Sequence, residues 1–131
     1  MLAAGNKSAT ATTPASAPEE ARLVWKRIVE PVQPFLDAVS RRLEEQVGAF
    51  DPEISAYARY ALSNQGKQLR PALVALAANA AGRTTDDHVT VAVVIEMVHL
   101  ATLVHDDVMD SAEIRRRRPT LAANWGNEIS V

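Results

Sequence analysis

Apolar residues recur at helical spacing along most of the chain, and the first such stretch runs from Glu19 to Val47. Pro31 and Pro34 fall inside it, and a proline within a helix removes a hydrogen-bond donor and clashes with the preceding turn. The pattern therefore predicts one amphipathic helix that is split or kinked at these prolines. Its predicted buried positions are Leu23, Ile28, Val32, Phe35, Leu36, Val39, Leu43 and Val47.

Four further helices are predicted from capping signals and apolar composition. Their ranges, caps included, are 51–66, 71–81, 84–110 and 120–131. Asp51 is a typical N-cap, followed by Pro52 in the first helical position and by the first-turn acid Glu53. Gly82 is a typical residue at the end of the second of these helices. No segment alternates as a strand, so the predicted fold class is all-α.

Composition narrows the class of protein. The chain has 131 residues, which is at most one domain, and 47% of them are apolar. The formal charge of −2 gives no global attraction to nucleic acid, and the absence of Cys excludes a disulfide framework and fits a reducing, cytoplasmic location. No apolar run in the sequence approaches the roughly 20 residues of a membrane span. We therefore expect neither a nucleic-acid partner nor a membrane span.

Residues 1–18 differ in composition from the rest of the chain. They are mainly Ala, Thr, Ser and Pro, which cannot bury enough apolar surface to fold. A signal peptide would need a longer apolar block, and a transit peptide would need several arginines. We interpret residues 1–18 as a disordered tail and residues 19–131 as part of a single domain that is incomplete alone.

Three acids end the long predicted helix. At about 100° per residue, Asp106 and Asp110 share one helical face, and Asp107 lies at its edge. Glu96 and Thr102 flank this face. Acids in a last helical turn oppose the helix dipole and repel one another, and a divalent cation would remove both penalties. Carboxylate oxygens without nearby Cys favour Mg²⁺ over zinc, whereas the alternative is a solvated helix end that binds nothing.

Basic residues occur at two places. Gly66 permits a tight turn that places Lys67 and Arg70 beside the start of a helix, where an anion is favoured, although an ordinary solvated loop is the alternative. Arg115–Arg118 follow the acids directly. A run of arginines can bind nucleic acid, but this one has no interleaved aromatic residues. An acid cluster followed by a basic run points instead to a phosphate ligand that binds together with a metal.

These motifs resemble the N-terminal part of the trans-isoprenyl diphosphate synthases, the polyprenyl synthetase family. Residues 106–110 match the family's first aspartate-rich motif, DDxxD, and residues 115–120 match the RRGxPT that follows it. Residues 66–71 resemble its GGKRxRP loop. The three motifs occur in the family's order, and the resemblance extends over residues 23–131.

The resemblance implies the N-terminal portion of the isoprenoid synthase fold, which consists of antiparallel helices. It also implies Mg²⁺-dependent chain elongation, in which an allylic diphosphate ionises and is attacked by isopentenyl diphosphate. By position, Asp106 and Asp110 are the implied metal ligands, with Asp107 in the same catalytic cluster. Arg115 would bind the allylic diphosphate. The residues implied to bind isopentenyl diphosphate are Lys67, Arg70, His99 and Arg116. No protein nucleophile is needed, because metal ions and fixed cations stabilise the leaving diphosphate.

The chain departs from the family pattern in four ways. Gln65, Gln68 and Arg117 stand where the family has Gly, Arg and Gly. We expect the two glutamines to weaken the isopentenyl diphosphate site, and Arg117 to reshape its loop because it resists a positive φ. The family's second DDxxD motif is not found in this sequence. We therefore expect a split or truncated enzyme, inactive as an isolated chain.

The expected function is that of a prenyltransferase component in a homo- or hetero-oligomer whose other chain carries the second DDxxD motif. A non-catalytic regulatory subunit is the alternative, and a terpene cyclase is a third possibility. In the family, bulky residues four or five positions before the first aspartate limit product length. Those positions hold the small residues Thr102 and Ala101, which predicts a long-chain product. Alternatively, both are small only to let two helices approach.

Overall fold

The computed structural model describes residues 17–64 and 66–131, which divide into two compact units with a boundary between Glu30 and Pro31. The described part of the first unit is helix α1, Ala17–Val29. Leu23 and Ile28, which were predicted to be buried, are exposed. The predicted disordered tail lies outside the described residues, except for positions 17 and 18 at the start of α1. That prediction therefore stays a prediction.

The second unit contains the other helices and one short hairpin. A 3₁₀ turn, Glu30–Val32, lies at the boundary between the units. The elements that follow are α2 (Gln33–Gly48), α3 (Pro52–Ser63), α4 (Leu69–Ala80), α5 (Asp86–Met109), β1 (Ile114–Arg115), β2 (Arg118–Pro119), α6 (Leu121–Trp125) and α7 (Asn127–Ser130). The all-α class is confirmed, with the hairpin as an addition.

The prolines split the first predicted helix, as their chemistry requires. Pro31 lies in the 3₁₀ turn, and Pro34 lies in the first turn of α2, where its missing N–H would have had no partner in the helix. The remaining predicted core positions are all buried: Val32, Phe35, Leu36, Val39, Leu43 and Val47. The helical period thus predicted the buried face of α2.

Capping explains where α3 and α5 begin. The Asp51 carboxylate accepts a hydrogen bond from the Glu53 N–H at 3.1 Å, which confirms the predicted cap of α3. At α5, the Thr85 N–H donates to His88 Nδ1 at 3.1 Å. Helix α4 begins at Leu69, two residues before its prediction, because Pro71 is tolerated anywhere in a first turn whose N–H groups are free.

Helix α5 organises the second unit, and it packs mainly on α4 and α2. Small residues make this contact close, since Ala72, Ala75 and Ala92 are completely buried. An 18-residue window of α5 has a mean hydropathy of 1.6, and only 22% of it is buried. By length and composition α5 is the one described helix that could cross a membrane, so it is more apolar than the sequence analysis allowed. The core helices of soluble proteins pass the same test, and the expectation of no span stays a prediction.

Two predictions about the last thirty residues were wrong. Strands β1 and β2 pair antiparallel, with Ile114 opposite Pro119, and two-residue strands are too short for alternation to show in the sequence. The single helix predicted from Thr120 to Val131 is two short helices, α6 and α7. Gly126 separates them with a φ of 90°, a conformation that glycine adopts readily and other residues avoid.

Candidate functional site

The acid cluster lies at the C-terminal end of α5. The Asp110 N–H donates to the Asp106 carbonyl at 2.8 Å, so these two residues are stacked one helical turn apart, as predicted. Asp106 is half-buried and Asp110 is exposed. Ser111 then turns the chain out of the helix with a φ of 51°. Two carboxylates are thus available on one face at the edge of the molecule.

Asp107 differs from the other two acids because it is buried and bonded to Arg115. Arg115 Nε lies 2.9 and 3.1 Å from the two carboxylate oxygens of Asp107, and Nη2 lies 2.7 Å from Oδ1. These charge-assisted bonds compensate the burial of both groups. The hydrogen bond to Asp107 raises the pKa of Arg115, and the carboxylates of Asp106 and Asp110 also favour its charged form. The three predicted cluster members therefore divide into one buried, ion-paired acid and two acids that are more exposed.

The β1–β2 hairpin, residues 114–119, docks on the end of α3. Tyr60 Oη donates to the Pro119 carbonyl at 2.7 Å. Arg118 Nη1 donates to Ser63 Oγ at 2.9 Å, and its guanidinium lies 4.7 Å from the centroid of the Tyr60 ring, a cation–π distance. Asn64 Nδ2 donates to the Arg115 carbonyl at 3.2 Å. Side chains about fifty residues earlier in the chain therefore hold the arginine run in place.

This docking brings together the two basic motifs that the sequence analysis treated separately. Arg116 Nη1 donates to the Asn64 carbonyl at 2.9 Å, and a Cβ built on Gly66 would lie 2.5 Å from the Arg116 guanidinium. Gln68 is left-handed in this loop, with a φ of 50°, and Gly66 leaves room for the Arg116 side chain. The expectation that Gly66 permits a tight turn stays a prediction.

His99 lies in the field of three arginines. Its pKa is lowered, first by burial and then by the positive charges of Arg70, Arg116 and Arg115, while Glu96 opposes the effect. Charges from the start of α4 and from the hairpin thus act on one imidazole of α5. Lys67 is exposed in the loop before α4. Three of the other four residues predicted to bind diphosphate therefore act electrostatically on His99: Arg70, Arg115 and Arg116.

The departures from the family pattern have different outcomes. The Gln68 side chain donates to Ser40 Oγ at 2.7 Å, so it turns to α2. Gln65 lies outside the described residues. The expectation that Arg117 avoids a positive φ was wrong, since Arg116 and Arg117 have φ values of 51° and 66°. Two positive φ values are what a two-residue type I′ hairpin requires, and the short β ladder holds these residues there despite the strain.

The donors at the end of α5 fit a magnesium ion in kind. Carboxylate oxygens are the ligands Mg²⁺ prefers, and it usually keeps waters and shares its shell with substrate phosphates, so two protein carboxylates can suffice. Within residues 17–64 and 66–131, no three His, Asp or Glu side chains are grouped closely enough to bind a metal alone. Asp106 and Asp110 as metal ligands stay a prediction.

An apolar cavity of about 590 Å³ lies in the second unit, between α2, α3 and α5 and the last two helices. Ala101 lines it together with Met97 and Val104 of α5. The second predicted length-determining residue, Thr102, is not among the lining residues, and its hydroxyl donates to the His99 carbonyl at 2.7 Å. The two predicted positions are thus not equivalent.

Sequence reasoning missed three contributors to the site. Tyr60 and Asn64 hold the hairpin, and their position just before the basic loop was the available signal. Glu96 was predicted only to flank the acidic face, but it is 7% exposed, and its Oε2 has no hydrogen-bond partner in the part of the chain described. A single Glu in an otherwise apolar helical run could have indicated burial.

Comparisons with known proteins agree with these motifs. The sequence pattern of the Polyprenyl synthetase family matches residues 51–131. The chain is 40% identical over 96 residues to the heptaprenyl diphosphate synthase component 2 of Bacillus subtilis, covering 73% of this chain and 28% of that protein. It is 41% identical over 93 residues to the octaprenyl diphosphate synthase of Escherichia coli, covering 71% of this chain and 29% of that protein.

A solved structure is also similar. The crystal structure of a decaprenyl diphosphate synthase from Rhodobacter capsulatus superposes with a TM-score of 0.76 at 34% identity, covering 82% of this chain and 33% of that one. The chain thus spans about three tenths of the length of these relatives.

Proposed function

The chain belongs to the polyprenyl synthetase family, and from this premise we propose that it is a diphosphate-binding component of a trans-prenyltransferase. The proposed reaction elongates an allylic diphosphate with isopentenyl diphosphate to a long-chain polyprenyl diphosphate. The observation that supports it best is that Arg116 of the hairpin lies against the loop before α4, and that Arg116 and Arg70 both act electrostatically on His99 of α5. Arg115, next to Arg116, is in turn influenced by Asp106 and Asp110. The acids can bind a metal ion and the basic residues can bind a phosphate. Such a pair of sites suits a diphosphate that is held partly by the metal and partly by the protein.

The proposed division of roles follows the two sides of this arrangement. Arg115 and the acids Asp106 and Asp110 would hold the allylic diphosphate, because Arg115 is within electrostatic reach of both acids. The diphosphate of isopentenyl diphosphate would be held by the side chains nearer the α4 loop: Lys67, Arg70, His99 and Arg116. Asp107 is then a positioning residue, since it fixes the guanidinium of Arg115.

These residues contribute by binding and by electrostatics. The allylic carbon–oxygen bond breaks, its electron pair leaves with the diphosphate, and fixed guanidinium groups stabilise that charge. The double bond of isopentenyl diphosphate then attacks the allylic cation, and a proton is lost from the adduct. Mg²⁺ bound by Asp106 and Asp110 would neutralise the leaving diphosphate. No nucleophilic side chain is required.

We propose that another chain supplies the second aspartate motif, in a homo- or hetero-oligomer located in the cytoplasm. The name of the Bacillus subtilis relative describes it as component 2 of its synthase, which supports a two-component assembly here. Of the residues described, no group of three His, Asp or Glu side chains could hold a metal ion alone. The isolated chain is therefore proposed to be inactive.

A non-catalytic regulatory subunit is the second candidate. The observation that favours it is that Arg115 is already paired with Asp107 before any substrate binds. Such a subunit would retain the fold and the contact with its partner but would not bind the metal-bound diphosphate.

An incorporation assay separates the two candidates. In the assembled enzyme with its partner, Asp106→Ala is expected to abolish incorporation of labelled isopentenyl diphosphate, because a metal ligand is lost. Asp87→Ala is the matched control, since Asp87 is exposed in the first turn of the same helix. Full activity of the Asp106 variant would assign catalysis to the partner and support the regulatory role.

Product length is tested at the apolar cavity. Ala101→Phe is expected to shorten the products while turnover persists, because an aromatic side chain would fill space next to Met97 and Val104. Thr102→Phe is the comparison, since Thr102 does not line this cavity. Products are measured by chromatography of the dephosphorylated alcohols. An unchanged distribution in the Ala101 variant would show that Ala101 is small only for helix packing.

A further inference from the structure

Glu96 is a buried acid that the proposed roles leave unused. It is 7% exposed, and its Oε2 is buried without a hydrogen-bond partner among the described residues. The other buried carboxylate of the described chain, Asp107, is 5% exposed and fully compensated by Arg115. A buried carboxylate oxygen without a hydrogen-bond partner is costly. Oε2 of Glu96 can therefore still accept a hydrogen bond from a group that does not donate to it in the free protein.

The candidate for that partner is His99. It follows Glu96 by three residues on α5, so the two side chains are neighbours on one helical face. The charged groups that act on His99 are Glu96 from its own helix, Arg70 from α4, and Arg115 and Arg116 from the hairpin. Glu96 is the one anion in this set. In the free protein the arginines and burial outweigh it and favour the neutral imidazole.

We propose that Glu96 is a positioning residue of the isopentenyl diphosphate site: its carboxylate partners the imidazolium of His99 when a diphosphate binds. This inference rests on the proposed function. The incoming diphosphate adds negative charge on the far side of the ring, and together with Glu96 it offsets the arginines. One proton from solvent then binds to the ring, which donates one N–H towards each anion. With Glu96 as its partner, the neutral ring of His99 becomes an imidazolium, which adds a cation to the lysine and arginines of the site.

The test uses the full 131-residue chain, inorganic pyrophosphate as the probe, and calorimetric titration at pH 6 and pH 8. Glu96→Gln is expected to weaken pyrophosphate binding about tenfold at pH 6, the equivalent of one pKa unit on His99. At pH 8 the ring stays neutral, so the variant should bind as tightly as the wild type or more tightly. Glu44→Gln is the matched control, because Glu44 is exposed on α2 and is not among the charged groups that act on His99.

The competing explanations predict different signs. Simple charge repulsion predicts tighter binding by Glu96→Gln at both pH values, and a purely structural role predicts equal weakening at both. Either result would overturn the inference. So would an unchanged His99 titration, followed by NMR of the ring protons, since the inference expects Glu96→Gln to lower the pKa of His99 and pyrophosphate to raise it in the wild type.

A second variant covers the case in which Glu96→Gln does not fold by circular dichroism. His99→Gln should then remove the pH dependence that the wild type shows beyond the titration of pyrophosphate itself, and its persistence would contradict the inference. The proposed function fails separately: it would be refuted if the wild type bound no pyrophosphate, or if Lys67→Ala and Arg70→Ala together left that binding unchanged.

Discussion

At the scale of single residues, the ion pair with Arg115 distinguishes Asp107 from the other two acids of its motif. Asp107 positions Arg115, whereas Asp106 and Asp110 are the proposed metal ligands. Asp107→Asn is expected to destabilise the chain by about 1–3 kcal/mol, because it leaves a partly buried guanidinium without its anion. The range is discounted because the Arg115 side chain is 33% exposed. Asp110→Asn is the control, and it should be neutral or slightly stabilising, since it removes an exposed acid from a helix C-terminus.

Urea unfolding measures both variants. Equal stabilities of the Asp107 and Asp110 variants would mean that the ion pair makes no net contribution to the free energy of unfolding. A loss confined to the Asp107 variant would support its role in fixing Arg115.

Arg117 carries backbone strain that its side chain does not explain. Its φ is 66°, and a residue with a Cβ in the left-handed region loses roughly 1–2 kcal/mol relative to its favoured conformations. Arg117→Gly is therefore expected to raise the free energy of unfolding by about 1 kcal/mol, less than the full strain because glycine gains entropy in the unfolded chain. Thermal unfolding checks this. Arg83→Gly is the matched control, since Arg83 is exposed and is not left-handed, so the same change there should lower the stability.

At the scale of elements, the hairpin depends on its contact with α3. Tyr60→Phe removes only the hydroxyl that bonds to the Pro119 carbonyl, and it keeps the ring that faces Arg118 and Trp125. A loss of about 0.5–1.5 kcal/mol is expected, the usual contribution of one hydrogen bond. Tyr57→Phe is the matched control, because the Tyr57 ring also contacts Trp125 edge-on. Equal effects of the two changes would show that the hydroxyl of Tyr60 does not anchor the hairpin.

Elements defined by local chemistry were predictable from the sequence. The prolines predicted where α2 is separated from the helix before it, the Asp51 cap predicted the start of α3, and the helical period predicted the buried face of α2. Each of these signals depends on residues a few positions apart. Gly126 and the two-residue strands were missed for a different reason. A lone glycine is compatible with several conformations, so Gly126 alone did not predict a break. The hairpin is held by Tyr60 and Asn64, which lie more than fifty residues before it, and a local sequence pattern cannot reveal such a contact.

The site was predictable only in part. Spacing alone placed Asp106 and Asp110 one turn apart, and the family resemblance supplied roles for the basic residues. Nothing local in the sequence shows that Arg116 lies against Gly66 or that Asp107 is already paired. Both depend on how the hairpin folds back on α3 and α5, which is a tertiary property.

At the scale of the whole chain, α5 leaves much of its apolar surface exposed. Val91, Val94, Ile95 and Val98 are between 39% and 60% exposed along one side of the helix. Apolar stretches of this kind mark interaction surfaces or cause aggregation. We expect the isolated chain to associate, as measured by sedimentation, and Val94→Lys to reduce the association. Ala56→Lys, on exposed α3 surface, is the control. A monodisperse monomer that melts cooperatively would contradict this expectation.

The docking of the hairpin has a consequence for how fast an anion can bind. Arg116 and Arg118 are each held by a hydrogen bond to the end of α3 or the residue after it, so both long side chains are ordered before a ligand arrives. Immobilising a free arginine would cost roughly 1.5–2 kcal/mol in rotamer entropy on each binding event. Here the side chains are ordered when the chain folds, so an approaching anion meets guanidinium groups that are already in place. Encounter rates should therefore respond to ionic strength, while the arginines need no rearrangement after contact.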